Sequence, residues 1–502
     1  MTSGNHSHSD VAGASTVDPD KIRAEFTAAG QGHVFTFFDS LSLEEQQALM
    51  ATLATMDIRR VNAIFKTATS ASPASSSTSI APLPTEGFDS TISSPEKVAA
   101  WEESGLRLIG AGKVGVILLA GGQGTRLGSS DPKGCYDIGL PSHKSLFQLQ
   151  GERILRLQQL ASKYSGGKEV VIPWYVMTSG PTNAPTESYF RKMNYFGLKR
   201  ENVMFFEQGV LPAFTPEGKI FLETKGMPAV APDGNGGIYA ALRKQGVLAD
   251  LEKRGIPYIH AYCVDNCLVK VADPVFIGFC IEKNADCGAK VVPKAFPEEP
   301  VGVICLRNGK PGVVEYSEID ADMAKQRTPT GTLIYNAGNI ANHFYTLDFL
   351  KRIEHFEHNL EYHIARKKIK HVDLATGVSQ SPSSSNGIKL ELFIFDVLPF
   401  TERMAVLEVA RMDEFSPLKN APGSKDGDSP DTSRADIMSQ HARFIEAAGG
   451  VVSPTEGSSF PIVEISPLVS YNGEGLESLQ GATVATPKLI SSAADLLEFV
   501  SK

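Results

Sequence analysis

Long apolar runs are missing from this 502-residue chain, and none approaches the roughly 20 residues needed to cross a bilayer. The first ten residues, MTSGNHSHSD, are polar and lack the apolar core of a signal peptide. Cysteine is sparse: six residues lie scattered, without the density of a disulfide-stapled fold. Cys263 and Cys267 flank Asp265 but have no second pair with which to hold zinc. Reduced, mostly buried thiols and a cytoplasmic location are therefore expected. Basic charge is also short. The formal net charge of −9 argues against general nucleic-acid binding, which needs a basic face. There is no internal repeat and no exposed coiled-coil seam. The chain is expected to be a monomer acting on small molecules, with neither nucleic acid nor membrane as partner. What remains is ordinary globular material, with 42% apolar residues for a core and 21% charged ones. The length allows one large domain and one or two smaller ones.

Chemistry concentrates in Val114 to Lys133, VGVILLAGGQGTRLGSSDPK. Val116 to Leu119 is a short apolar run broken at Gly121-Gly122, which reads as a buried parallel strand. Beyond it, Gly121, Gly122, Gly124 and Gly128 surround Thr125 and Arg126. Such glycines let backbone N–H groups crowd an anion, while Arg126 and Lys133 add mobile cations for phosphate oxygens. The Walker pattern does not fit, because Gly-Lys-Ser/Thr is absent. The dinucleotide fingerprint fails as well, since Gly122, Gly124 and Gly128 are too widely spaced. For a bare glycine cluster, an ordinary strand-to-helix turn has about even odds. The longer string L-x-G-G-x-G-T-R-L-G-x-x-x-P-K-G is far more specific.

Along the chain, Asp20 to about Thr69 has a helical pattern, after a tail expected to be disordered. Ser70 to Ser79 reads as a low-complexity linker or surface strap. From Val114 strands and helices alternate, the pattern of a mostly parallel α/β sheet. Val170–Met177, Val203–Phe206 and Ile256–Val264 read as strands, and Thr186–Phe196 as a helix closed by Gly197. Asp233-Gly234-Asn235-Gly236-Gly237 is a second flexible loop, feeding a helix from Ile238. Asp265 follows a strand, where a carboxylate is placed to hold Mg2+. Asn308-Gly309 marks a hairpin. Asn336 to Asn339 reads as a polar turn leading to a helix after His343. Beyond 400, a helix from about Arg434 to Ala448 and short strands suggest a small α+β domain.

These motifs carry a resemblance. The cradle, MPAVAPDGNGG, HAYCVDNCLVKVADP, PVGVIC, VVEYSEI, NAGNI and DEFSPLKNA together resemble the eukaryotic UDP-N-acetylglucosamine pyrophosphorylases, in order over roughly residues 110 to 425. The resemblance implies a Rossmann-like nucleotidyltransferase domain at 109–400, between a mainly helical N-terminal domain at 1–108 and the C-terminal domain at 401–502. It implies a nucleotidyltransferase joining N-acetylglucosamine 1-phosphate to the α-phosphorus of UTP, with Mg2+ as cofactor. Gly121, Gly122 and Gln208 would meet the uracil, with Met227, Pro228 and Gly234 nearby. Asn235, Gly302, Glu315, Tyr316 and Asn339 would hold the sugar. Arg126, Lys133 and Lys389 would be the catalytic cations, and Asp265 the metal ligand. Asp396 is a guess for a second ligand, and DEFSPLKN leaves Lys419 without a role. A UDP-glucose or broad UDP-sugar pyrophosphorylase is the near alternative, and a non-catalytic sugar-nucleotide sensor the distant one.

Overall fold

The computed structural model describes residues 18–70, 79–316 and 318–499. The expected disordered tail and nearly all of the Ser70–Ser79 linker lie outside them. The chain divides into two compact units. The first comprises Met1–Ser75, Val210–Asp233 and Glu361–Glu391; the second comprises Ser76–Gly209, Gly234–Leu360 and Leu392–Lys502. The first unit thus includes two segments that chain order alone assigns to 109–400.

In the first unit, helices Pro19–Ala28, Leu43–Ala54 and Ile58–Ser70 present apolar faces to short strands. Ser42 starts the second helix by reciprocal capping, its N–H donating to the Glu45 carboxylate at 2.9 Å. Ile22, Phe26, Leu49, Leu53 and Val61 bury against Phe214, Ile220, Leu222, Ile388 and Leu390. Buried Gln31 fastens the helices to the strands. Its Nε2 donates to the Gly218 carbonyl at 2.7 Å and its Oε1 accepts the Ile220 N–H at 3.0 Å.

The second unit is built on an eleven-stranded sheet. Its principal strands are β1 (Phe88–Ser90), β2 (Val114–Leu119), β3 (Trp174–Thr178), β4 (Val203–Glu207) and β5 (Tyr258–Cys263). They continue with β6 (Cys287–Pro293), β7 (Val303–Arg307), β8 (Lys310–Val314), β9 (Ala337–Thr346) and β10 (Met404–Glu408). The order is β1-β10-β6-β9-β5-β2-β3-β4, with β7 branching from β9 into the β7–β8 hairpin. Strands β5, β2, β3 and β4 are mutually parallel, as are β6, β10 and β1. Only β9, between β5 and β6, runs antiparallel to both neighbours within that order. Every residue of β2 and β3 is buried. Val116, Leu118, Trp174 and Val176 pack with helices Pro95–Gly110 and Leu146–Ala161. From the alternate positions, Tyr175 donates to Asp250 of helix Val247–Arg254 at 2.7 Å. Burial on both faces explains why these strands read as continuous apolar runs.

Two expectations need correction. The helix expected at Thr186–Phe196 runs from Gly180 to Lys192 and tolerates Pro185 inside it. Tyr195 and Phe196 are left-handed, at φ 50° and 57°, so the helix cannot reach Gly197. The segment expected to turn at Asn336–Asn339 and become helical after His343 is instead the ten-residue strand β9. Its register shifts against β6 between Lys290 and Val291, and Ala341 sits at φ 53°. That irregularity breaks the apolar alternation on which a strand assignment depends. The following helix starts at Leu347.

After β10, helix Pro430–Ala447 and short parallel pairs surround Ile445, Val463, Ile465, Leu479 and Ile490. All six cysteines are free, four of them buried. Among the described residues no helix is long and apolar enough to cross a membrane.

Candidate active site

Strands β5, β2, β3 and β4 present their carboxyl ends side by side, the edge at which open α/β sheets bind ligands. From β2 the chain enters the glycine-rich loop, which folds back on itself. The Gly124 N–H donates to the Asp131 carbonyl at 3.0 Å, and the Lys133 N–H donates to the Gly122 carbonyl at 3.1 Å. A single 3-10 turn, Thr125–Leu127, carries Arg126 on its exposed side. Arg126 has no side-chain hydrogen bond or ion pair among the described residues.

Past the end of β3, the Ser179 hydroxyl donates to the Gly121 carbonyl at 2.7 Å. Past the end of β4, the Gln208 N–H donates to the Thr178 carbonyl at 2.9 Å. These bonds set Gln208 against Gly121. A methyl group on Gly121 would lie 2.2 Å from the Gln208 Oε1, so glycine there lets the amide keep this position. A methyl group on Gly122 would meet nothing within 4 Å, leaving open space beside the amide. The Gln208 amide can accept and donate at one edge, as a pyrimidine requires.

Past β5, residues 265–267 pair with 416–418. The Leu418 N–H donates to the Asp265 carbonyl at 2.9 Å, and the Cys267 N–H donates to the Ser416 carbonyl at 2.9 Å. Buried Asn266 locks the pairing, accepting the Ser416 N–H at 3.0 Å and donating to the Glu414 carbonyl at 2.7 Å. The Leu418 carbonyl thereby accepts from the Lys133 ammonium at 2.8 Å. Lys133 Nζ also stands 3.9 Å from Asp265 Oδ2, and the two side chains are 18% and 30% exposed. Lys419, next along, pairs loosely with Asp428 at 3.7 Å. Burial and then the Asp265 carboxylate push the Cys263 thiol well up, while Lys133 and Lys419 act in the opposite direction. Lys419 is thus within electrostatic reach of the same thiol as Lys133. Nothing in the local pattern of DEFSPLKN could reveal this, because the neighbourhood comes from pairing with a distant segment. Asp396 is structural, since its carboxylate accepts the Phe393 N–H at 2.7 Å and caps the turn Ile394–Phe400.

The second loop explains its own glycines. Gly234 has φ 89°, and a Cβ there would lie 2.2 Å from the Leu392 carbonyl oxygen. Asn235 spends its Oδ1 on the Ile394 N–H at 2.8 Å, which fixes the amide plane. Gly302, Glu315 and Asn339 form a separate group. The Asn339 N–H donates to the Gly302 carbonyl at 2.8 Å, and a Cβ on Gly302 would lie 3.1 Å from the Glu315 Oε1. Tyr316 is exposed beyond them. Met227, Pro228 and Lys389 belong to the first unit. There Met227 is exposed, Pro228 is buried opposite Leu222, and Lys389 stands half-buried opposite Ala365.

The chain is similar to known proteins over most of its length. Residues 64–470 match the family model described as UTP–glucose-1-phosphate uridylyltransferase. The chain belongs to this family. Within it, the UDP-N-acetylhexosamine pyrophosphorylase-like protein 1 of Homo sapiens is 48% identical, over 93% of this chain and 96% of that protein. The UDP-N-acetylglucosamine pyrophosphorylase of Saccharomyces cerevisiae is 46% identical, over 91% of this chain and 96% of that one. A Trypanosoma brucei uridine diphosphate N-acetylglucosamine pyrophosphorylase, solved in complex with an inhibitor, superposes with a TM-score of 0.82 at 34% identity. That match covers 96% of this chain and 100% of the trypanosomal chain. The matched residues include the loop between β2 and Lys133, at the carboxyl edge of the parallel strands.

Proposed function

We propose that this member of the family transfers the uridylyl group of UTP to N-acetylglucosamine 1-phosphate, giving UDP-N-acetylglucosamine and pyrophosphate. The observation that carries the reading is carbonyl-bound Lys133 beside Asp265 at the sheet edge that also holds the Gly121–Gln208 contact, with Arg126, unpaired among the described residues, on the same loop as Lys133. Gly121, Gly122 and Gln208 read the uracil, with Gly234 nearby. Asn235, Gly302, Glu315, Tyr316 and Asn339 receive the sugar, Glu315 accepting from hydroxyls. N-acetylglucosamine 1-phosphate is preferred over glucose 1-phosphate as the acceptor because the relatives at 46–48% identity are named for N-acetylated sugars.

The mechanism follows from charge. A sugar-phosphate oxygen attacks the α-phosphorus of UTP, and the bond to the β-phosphate oxygen breaks. The nucleophile is already anionic, so no general base is needed. Arg126 and Lys133 hold two polyanions together and stabilise charge on the departing pyrophosphate. Lys133 enters by leaving the Leu418 carbonyl for a phosphate oxygen. Asp265 suits Mg2+, because its carboxylate is partly exposed and has only Lys133, at 3.9 Å, as an ion-pair neighbour among the described residues. Among those residues no three of His, Cys, Asp or Glu gather as a protein-only metal site. Asp265 would be the residue to hold the ion. When bound, it would neutralise phosphate charge. The protein would act in the cytoplasm as a monomer.

Pyrophosphate release from UTP, compared across N-acetylglucosamine, N-acetylgalactosamine and glucose 1-phosphates, tests the reading. Release far higher with N-acetylglucosamine 1-phosphate than with glucose 1-phosphate is expected. Preference for glucose 1-phosphate would overturn the sugar assignment, and no release with any of them would overturn the reaction.

A further inference from the structure

Just past the end of β5, Asn266 forms an isolated antiparallel bridge with Pro417. Proline has no N–H, so the backbone alone cannot complete the pairing of 265–267 with 416–418. The Asn266 side chain makes up the difference. Its Oδ1 accepts the Ser416 N–H at 3.0 Å and the Leu268 N–H at 3.2 Å, and its Nδ2 donates to the Glu414 carbonyl at 2.7 Å. Asn266 is only 4% exposed, so removing the amide would leave those backbone groups short of a partner away from water. One buried amide thus ties residues 414 and 416 to the end of β5.

Lys133 rests on the next part of that segment. The Leu418 carbonyl accepts from its Nζ at 2.8 Å, while Asp265 Oδ2 stands at 3.9 Å, the only carboxylate within ion-pair distance of Lys133 among the described residues. An ammonium has three donors and no acceptor, so it turns to whichever oxygens are in reach. With the Leu418 carbonyl in place, Lys133 is held off the carboxylate. With the carbonyl displaced, Asp265 is the acceptor that remains, and a direct ion pair would answer the charge that a phosphate needs.

We infer that Asn266 is a positioning residue for uridylyl transfer: by fixing the Leu418 carbonyl, it keeps Lys133 out of a direct pair with Asp265 and available to a phosphate oxygen. This rests on the reading above that Lys133 meets the phosphates of UTP. Every group in the relay belongs to the second unit.

The test is a double-mutant cycle on the full chain, with Asn266→Ala, Lys133→Met and the two combined. Pyrophosphate release gives kcat/KM, and calorimetric titration with UTP gives affinity without any chemistry. Asn266→Ala alone is expected to lower kcat/KM and UTP affinity at least about tenfold. Added to Lys133→Met, it should cost less than about twofold in either measurement, because the side chain through which it acts is gone. Equal losses in both backgrounds would overturn the relay, since a general loosening of the fold multiplies with the loss of Lys133. Wild-type values in Asn266→Ala would overturn it too. Should Asn266→Ala fail to fold, the same cycle is run with Asn266→Ser, whose hydroxyl can still meet one of the stranded groups. If the wild type releases no pyrophosphate but its UTP affinity shows the expected coupling, the relay stands and the uridylyl-transfer reading fails. A wild type that neither releases pyrophosphate nor binds UTP overturns both.

Discussion

Two lysines of the second unit meet carboxylates in opposite ways. Lys290, on β6, is fully buried and contacts Asp273 and Glu414 directly, with Lys270 adding a 3.4 Å contact to Glu414. Burial alone would push the Lys290 ammonium down, but the two carboxylates outweigh it and hold it above its ordinary value. Lys133 is partly exposed, rests on the neutral Leu418 carbonyl and keeps 3.9 Å from Asp265. A charge fully answered by the protein is structural, because leaving its partner alone in the interior would be costly. A charge answered by a carbonyl and by a carboxylate no closer than 3.9 Å is available to an anion. Arg126, with no partner among the described residues, is the extreme of the second kind.

The contrast breaks most visibly at Lys290. Lys290→Met leaves two buried carboxylates without their cation and should cost roughly 3–5 kcal/mol, lowering the thermal midpoint sharply. Pyrophosphate release per folded molecule, measured well below that midpoint, should stay close to wild type.

Arg126→Ala should do the reverse. It removes an exposed side chain that stabilises nothing in the fold, so the thermal midpoint should hold within about 2 °C. Turnover should fall on the order of 10²–10³-fold, the loss typical for one contact to developing charge.

The buried cluster also makes an acid-sensitive neighbour. His260 Nδ1 accepts the Ala272 N–H at 3.0 Å, so its proton sits on Nε2 and is donated to Asn342 Oδ1 at 2.6 Å. Burial first, and then the nearby Lys290, lower its pKa to about 4. The unfolded chain takes up this proton near pH 6.5 and the folded chain only near 4, so stability falls as pH drops through that window. The loss is about 1.4 kcal/mol per pH unit, on the order of 3 kcal/mol by pH 4. Unfolding followed against pH should show a shallower slope in His260→Gln.

The smallest effect is expected at the uracil side. Gly121→Ala drives a methyl group into the Gln208 amide, whose flexible end can move aside. KM for UTP should rise about tenfold with little change in thermal midpoint, a split that assigns the contact to binding.

The sequence was most legible where physics is local. The apolar run Val116–Leu119 and its glycine break located β2 and its loop, because burial on both faces leaves an unmistakable string. The Asn308-Gly309 turn located the β7–β8 hairpin, since that dipeptide favours positive φ, and Asn308 and Gly309 adopt 53° and 76°. Strand β9 was illegible because a register shift and a left-handed Ala341 interrupt its alternation. The Leu418 carbonyl could not be given a role, since its place beside Lys133 is created by hydrogen bonds from Asn266 across a long stretch of chain. The inclusion of Val210–Asp233 and Glu361–Glu391 in the first unit was equally hidden, because Ile388 and Leu390 look like any central strand until Phe26 and Leu53 cover them.

The most direct test of the account is Lys133→Met, followed by thermal midpoint and by pyrophosphate release from UTP and N-acetylglucosamine 1-phosphate. A midpoint within about 2 °C of wild type with release reduced at least about 100-fold is the predicted result. Release at the wild-type rate from an equally stable protein would contradict the claim that uridylyl transfer runs on the cations this fold leaves unanswered.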